Sequence, residues 1–257
     1  MDQHIVFFDL DGTLLDRSKS VPESARQAVQ MLKDNGHIVA IATGRAPFMY
    51  EHVRKQLNID TYISFNGQYV VLDGDSIYRN PLKPESLERM VNQANTNDHP
   101  IVYLDQEDMK ANVQSSSYVS EAIATLKLGQ IADYDPTYKE RDIYQGLLFC
   151  KAGEEQEYEA AYPEFDFLRW HPYSVDVIPQ GGSKAEGIQH VLKQVELPED
   201  RVVVFGDSLN DLEMLAQFKH SFAMEDGHDR AKETASYITP DADQDGIEQG
   251  LKKMDLI

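Results

Sequence analysis

Two carboxylates, Asp9 and Asp11, follow the apolar run Ile5, Val6, Phe7 and Phe8 and precede Gly12 and Thr13. Side chains alternate along an extended chain, so residues two apart can point into one site. Two acids this close repel, and one stays protonated unless a cation neutralises them. An ionised carboxylate can serve as a nucleophile, and a protonated one beside it as a general acid. A bound metal ion lets the two forms coexist. Gly12 permits a sharp turn after the strand, and the Thr13 hydroxyl can brace it.

Three later segments supply complementary chemistry. Thr43, Gly44 and Arg45 end a second apolar run, where a hydroxyl and neighbouring backbone N–H groups suit phosphoryl oxygens. Lys184 follows Gly181, Gly182 and Ser183 and opens an amphipathic run (Ala185, Ile188, Val191, Leu192, Val195). A lysine in the first turn of a helix opposes the helix dipole, so it implies an anion to bind. Gly206, Asp207, Ser208, Leu209, Asn210 and Asp211 end a third apolar run, with Asp207 placed as a metal ligand. Alone, each segment also fits an ordinary helix start or a solvated cap.

The elements that must position these groups are legible as patterns. The runs at 5–8, 38–42 and 202–205 read as buried parallel strands. Residues 20–35 read as a helix with Pro22 in its first turn and Gly36 past its end. Asp73-Gly74 between two β-rich runs reads as a hairpin. From 82 to 178 the pattern changes to helix, two short strands, helix, strand, helix and two strands, with strands expected within 142–151 and 165–178. Alternation resumes at Gly181, so an α+β unit is inserted between the second and third chemical segments.

Together and in this order, the motifs resemble the haloacid dehalogenase superfamily of phosphohydrolases, in its Cof-like, class IIB branch. The resemblance runs nearly end to end and includes Asn66-Gly67 before the hairpin, Ala223-Met224, and Asp245-Gly246-Ile247 before the last helix. It implies an α/β fold: a Rossmann-like, doubly wound parallel sheet (1–81 and 179–257) with an inserted α+β cap domain (82–178) that selects substrate. It also implies a Mg²⁺-dependent phosphomonoesterase. Asp9 would be the nucleophile that becomes an aspartyl-phosphate, and Asp11 the general acid and then base. Thr43 and Lys184 would hold the transferring group. Asp9, the Asp11 carbonyl and Asp207 would bind Mg²⁺, with Asp211 in its outer shell. Gly44, Asn66, Gly67 and Asn210 would line the substrate site. The all-oxygen ligand set favours Mg²⁺ over Zn²⁺. Where the family often has Gly-Asn-Ala, this chain has Glu225-Asp226-Gly227.

The expected substrate is a small phosphorylated metabolite, such as a sugar phosphate or a flavin or pyridoxal phosphate. Two alternatives are a phosphotransferase or phosphomutase of the same fold, and a signalling protein carrying a phospho-aspartate. The second is disfavoured because receiver domains carry the reactive Asp on a middle strand and lack an inserted cap. In the inserted unit, Arg169, Trp170 and Tyr173 are candidates for substrate contact or, equally, for packing.

Bulk composition fits a cytoplasmic enzyme, monomeric or a small homo-oligomer. At 257 residues the chain can bury one large domain or two unequal ones. A net charge of -20 argues against nucleic acid and anionic membranes as partners. It also requires local cations to draw in a phosphate. The one cysteine, Cys150, excludes an internal disulfide and reads as a buried strand residue.

Overall fold

The computed structural model describes residues 2–126 and 132–257. Strand β1 (Ile5–Phe8) is buried along its whole length, as an apolar run with both faces covered requires. Helix α1 (Glu23–Asp34) buries Ala25, Ala28, Val29 and Leu32, spaced to share one face. It starts later than residue 20 because the Asp16 carboxylate accepts hydrogen bonds from the backbone of Ser18 and Ser20 and folds that stretch into a turn. Then come β2 (Ile38–Ala42), α2 (Glu51–Leu57), β3 (Thr61–Ser64), β4 (Tyr69–Leu72) and β5 (Asp75–Arg79).

The next elements are α3 (Pro84–Thr96), β6 (Ile101–Leu104), β7 (Met109–Ala111), α4 (Ser117–Thr125) and β8 (Asp133–Tyr134). They are followed by β9 (Gln145–Leu148), α5 (Gln156–Ala161), β10 (Phe165–His171) and β11 (Ser174–Pro179). The chain ends with α6 (Lys184–Val195), β12 (Val202–Gly206), α7 (Leu212–Gln217), β13 (His220–Met224), α8 (Asp229–Thr234), β14 (Tyr237–Thr239) and α9 (Gly246–Lys253).

These elements form two compact units: Met1–Arg45 with Tyr50–Tyr78 and Ser183–Ile257, and Ala46–Met49 with Arg79–Gly182. The first holds an eight-stranded sheet in the order β14-β13-β12-β1-β2-β3-β4-β5. From β14 to β3 the neighbours pair in parallel, and β4 runs antiparallel to β3. β1 pairs with β2 on one side and β12 on the other, so the strand order switches there, and the carboxyl ends of these strands form the crevice in which open α/β sheets bind ligands.

The second unit holds a six-stranded sheet in the order β10-β11-β9-β6-β7-β8. One face packs Ile101, Tyr103, Leu148, Val175 and Val177 into an apolar core with Leu87, Met90 and Val91 of α3 and Tyr158 of α5. Two expectations are refined here. The 165–178 run is a hairpin, turned at Pro172, which has no N–H to give a ladder. Cys150 is buried but lies beyond β9, and its N–H donates to the Tyr173 carbonyl. Among the described residues, no helix is long and apolar enough to cross a membrane.

Candidate active site

Asp9 directly follows β1, and its N–H donates to the Phe205 carbonyl of β12, so the sheet ladder itself fixes its backbone. Its carboxylate receives the Lys184 ammonium at 2.6 Å, and the same ammonium donates to Asp211 at 2.6 Å. Lys184 and Asp211 have no exposed surface, and Asp9 is 6 % exposed. Lys184 is the first residue of α6, whose cap Ser183 accepts the Glu186 N–H. Burial pulls the Lys184 ammonium down, but the two carboxylates outweigh it and hold the group charged. The other Asp211 oxygen accepts the N–H groups of Asp207 and Ser208, both at 2.9 Å. Asp211 therefore ties the turn after β12 to the lysine.

Asp207 lies against Asp9, and the Thr13 hydroxyl donates to it at 2.9 Å. Thr13 thus braces the partner strand's acid rather than its own turn. Gly12 has φ +89°, and a Cβ there would stand 2.7 Å from the Asp207 carboxylate, so both backbone and space demand glycine. The Glu225-Asp226-Gly227 loop also reaches this region through its glycine. A Cβ at Gly227 would stand 2.7 Å from the Asp207 carbonyl, whereas the Asp226 carboxylate pairs with Arg17 at 3.2 Å.

Asp11 points to a different set of partners. Arg45 grips its carboxylate with two contacts of 2.6 Å, and Lys19 adds a third at 2.5 Å. Burial pushes the Asp11 carboxyl up, but these cations prevail and hold it below the usual carboxylate range. Sequence reasoning gave neither cation a role. Arg45 was signalled by its place after Thr43-Gly44, but Lys19 reaches Asp11 from a loop residue at φ +65° that carries no motif. Arg45→Met should destabilise the protein by about 1 kcal/mol near neutrality, a modest figure because Asp11 is partly solvated. A depressed carboxyl contributes stability that is present above its unfolded pKa and is lost as pH falls through the folded one. The gap in melting temperature between wild type and variant should therefore close below about pH 4. A gap that stays constant with pH would contradict the assignment.

The remaining predicted residues meet at the ends of β2 and β3. Thr43 is buried, and its hydroxyl accepts the Arg45 N–H at 3.2 Å. The Asn66 N–H donates to the Thr43 carbonyl, and the Asn66 side chain accepts from Asn210 at 3.1 Å. Gly44 sits beneath that amide, 3.1 Å from where its Cβ would be. Gly67 has φ +101°, and a Cβ would fall 2.1 Å from the Ser183 carbonyl. The Asn66-Gly67 turn is therefore packed directly onto the residue before Lys184.

Asp9, Asp207 and Asp211 can each bring a carboxylate oxygen within 4.8 Å of the others. Three acids, Asp9 and Asp211 buried and Asp207 half-buried, against one ammonium leave uncompensated negative charge, and the donors are all hard oxygens. The cluster therefore fits a divalent cation. Because Asp211 is already engaged by Lys184 and two N–H groups, Asp9 and Asp207 are the better ligands. Burial, then the Asp211 charge, push Asp207 up to about 6. Since this lies above the ordinary aspartate value of 3.8, the folded state holds a proton that the unfolded state releases. That contribution is full below about pH 4 and is lost as pH rises through about 6, on the order of 2–3 kcal/mol for a two-unit gap. The metal-free protein should lose melting temperature from pH 5 to 7, and a divalent cation should restore it at pH 7 but not at pH 5. Melts in EDTA and in added cation check this, and curves that coincide at every pH would sink it.

Known proteins resemble this chain in both sequence and fold. The family model for haloacid dehalogenase-like hydrolases matches residues 6–251. The chain is 42% identical to "Putative phosphatase YkrA" of Bacillus subtilis (strain 168) over 257 residues, covering all of both chains. The crystal structure of a hypothetical protein from Geobacillus kaustophilus HTA426 superposes with a TM-score of 0.96 at 48% identity over the full length of both. The HAD subclass IIB sugar phosphatase BT4131 superposes with a TM-score of 0.85 at 25% identity, covering 99% of this chain and 100% of that one. With a family model over nearly the whole chain and a full-length relative at 42% identity, the chain belongs to the haloacid dehalogenase-like hydrolases as a Cof-like phosphatase.

Proposed function

We propose that the protein hydrolyses small phosphomonoesters with Mg²⁺ as cofactor and Asp9 as the covalent nucleophile. The observation that carries this reading is the buried Asp9–Lys184–Asp211 chain beside Asp207 at the switch point of the sheet. Asp9 attacks phosphorus and the ester oxygen leaves with a proton from Asp11, giving an aspartyl-phosphate and a free alcohol. Water then attacks that phosphorus, Asp11 takes its proton, and Asp9 is released with phosphate. The paired Asp11 carboxylate is the form required in the second step, so the first step needs Arg45 and Lys19 to let it take up a proton. Thr43, Asn66 and Lys184 orient the phosphoryl oxygens, since catalysis of this transfer is mainly positioning and charge stabilisation. Mg²⁺, held by Asp9, Asp207 and the Asp11 carbonyl, would neutralise charge on the transferring group. Residues 82–178 would form the cap that selects among substrates.

Phosphate release from a panel of small phosphomonoesters, in Mg²⁺ and in EDTA, tests this. Metal-dependent release supports it. Loss of ester without free phosphate, with the group recovered on an added alcohol, would replace hydrolysis by phosphotransfer. Absence of turnover from a folded, metal-binding protein would overturn both.

A further inference from the structure

β5 is the last strand of the eight-stranded sheet, and no strand lies beyond it among the described residues. An open edge is a template for another chain, and sheets usually protect it with proline, a bulge or lysine. β5 reads Asp75, Ser76, Ile77, Tyr78 and Arg79, and carries none of these guards. Asp75 and Arg79 are exposed, and the residues between them are half-buried. The edge is also held in place, because the Tyr78 ring stacks on His190 of α6 with centroids 3.7 Å apart.

The hairpin fixes which backbone groups this edge presents. Asp73 and Gly74 join β4 to β5 at φ +49° and +88°, a two-residue turn of type I′. Such a turn closes on Leu72 and Asp75 as a hydrogen-bonded pair, so bonding to β4 recurs at Ile77 and Arg79. The backbone N–H and C=O groups of Ser76 and Tyr78 then point away from β4, toward the open side. A twofold antiparallel pairing of two β5 strands, centred on Ile77, sets Ser76 of each copy opposite Tyr78 of the other. Those residues then exchange both ladder bonds.

The side chains favour the same register. Asp75, Ile77 and Arg79 alternate onto one face of the strand. Centred on Ile77, the pairing places each Asp75 opposite Arg79 of the other copy, with the Ile77 side chains meeting at the axis. These are the non-hydrogen-bonded positions, where cross-strand side chains stand closest. Centring on Ser76 or Tyr78 would set a charge against Ile77, and in-register parallel pairing would set like charges side by side. With a net charge of -20, two copies repel at long range, so a matched contact is needed to hold them. We propose that β5 is the contact surface for a second copy of this chain, joining two eight-stranded sheets through antiparallel pairing about Ile77.

Sedimentation velocity of the full-length chain at about 1 to 100 µM tests this. The wild type should pass from monomer to dimer over that range. Asp75→Arg and Arg79→Asp each set like charges opposite one another, and each should weaken the dimer by about tenfold or more. The double variant D75R/R79D exchanges the ends and restores opposite pairs, so its dissociation constant should return to within about threefold of the wild type. Melts at the lowest concentration separate loss of the dimer from loss of the fold. A wild type that stays monomeric throughout overturns the proposal. So does a dimer that survives both single changes, or a double variant that stays monomeric.

Discussion

Asp9→Asn should abolish phosphate release, by a factor on the order of 10⁴ or more, while leaving the protein folded. The amide is isosteric with the carboxylate but too weak a nucleophile to form the covalent intermediate, so the loss should fall on kcat. Stability should move the other way. Burial holds the Asp9 carboxyl well above the ordinary range, and the neighbouring Asp211 and Asp207 charges add to this against Lys184. Removing that charge relieves repulsion among buried acids, so the metal-free variant should melt at or above the wild type at pH 7. The same change deletes a ligand, so added Mg²⁺ should raise its melting temperature less than that of the wild type. Inactivity together with these opposite shifts marks a residue that is both nucleophile and ligand. A variant that keeps a tenth of wild-type turnover would remove Asp9 from the chemistry.

Much of this site was legible because its parts are local. Asp9, Thr43 and Asp207 each sit at the end of an apolar run, and the rule that parallel strands point their carboxyl ends at the ligand joins runs that are far apart in sequence. Lys184 was legible through its conflict with the helix dipole. What could not be read were contacts set by packing between distant segments. Nothing in the stretch after Asp11 shows that Lys19 turns back to it, because the turn depends on Asp16 accepting from Ser18 and Ser20. The sequence expects Gly67 to line the substrate site, but nothing in it shows that the missing side chain is what admits the Ser183 carbonyl. In the second unit, element types were readable while strand ends were not. β9 spans only Gln145–Leu148, although the apolar run continues through Phe149 and Cys150. Cys150 still donates to the Tyr173 carbonyl in the register that pairs β9 with β11, but β11 begins only at Ser174, so the paired strand ends before the apolar run does.

The second large effect concerns Lys184. Lys184→Met keeps the length and apolar stem of the side chain and removes only the ammonium. That ammonium donates to Asp9 and Asp211 at 2.6 Å each from a position with no exposed surface. Breaking a buried ion pair from one side leaves uncompensated charge and typically costs about 3–5 kcal/mol. The metal-free variant should therefore melt well below the wild type at pH 7. Lowering the pH should narrow the gap, because protonating Asp9 and Asp207 removes the repulsion that the lysine had offset. Adding Asp9→Asn to Lys184→Met should recover part of the loss, since the two residues are in contact and their effects cannot be additive. Turnover should fall by a factor on the order of 10³, through loss of one cation from the cradle and of the contact that orients the nucleophile. The readouts are melts of the two single variants and the double variant in EDTA at pH 5 and 7, with phosphate release in Mg²⁺. If the double variant is no more stable than Lys184→Met, the lysine does not act by balancing Asp9, and its place in the site is structural.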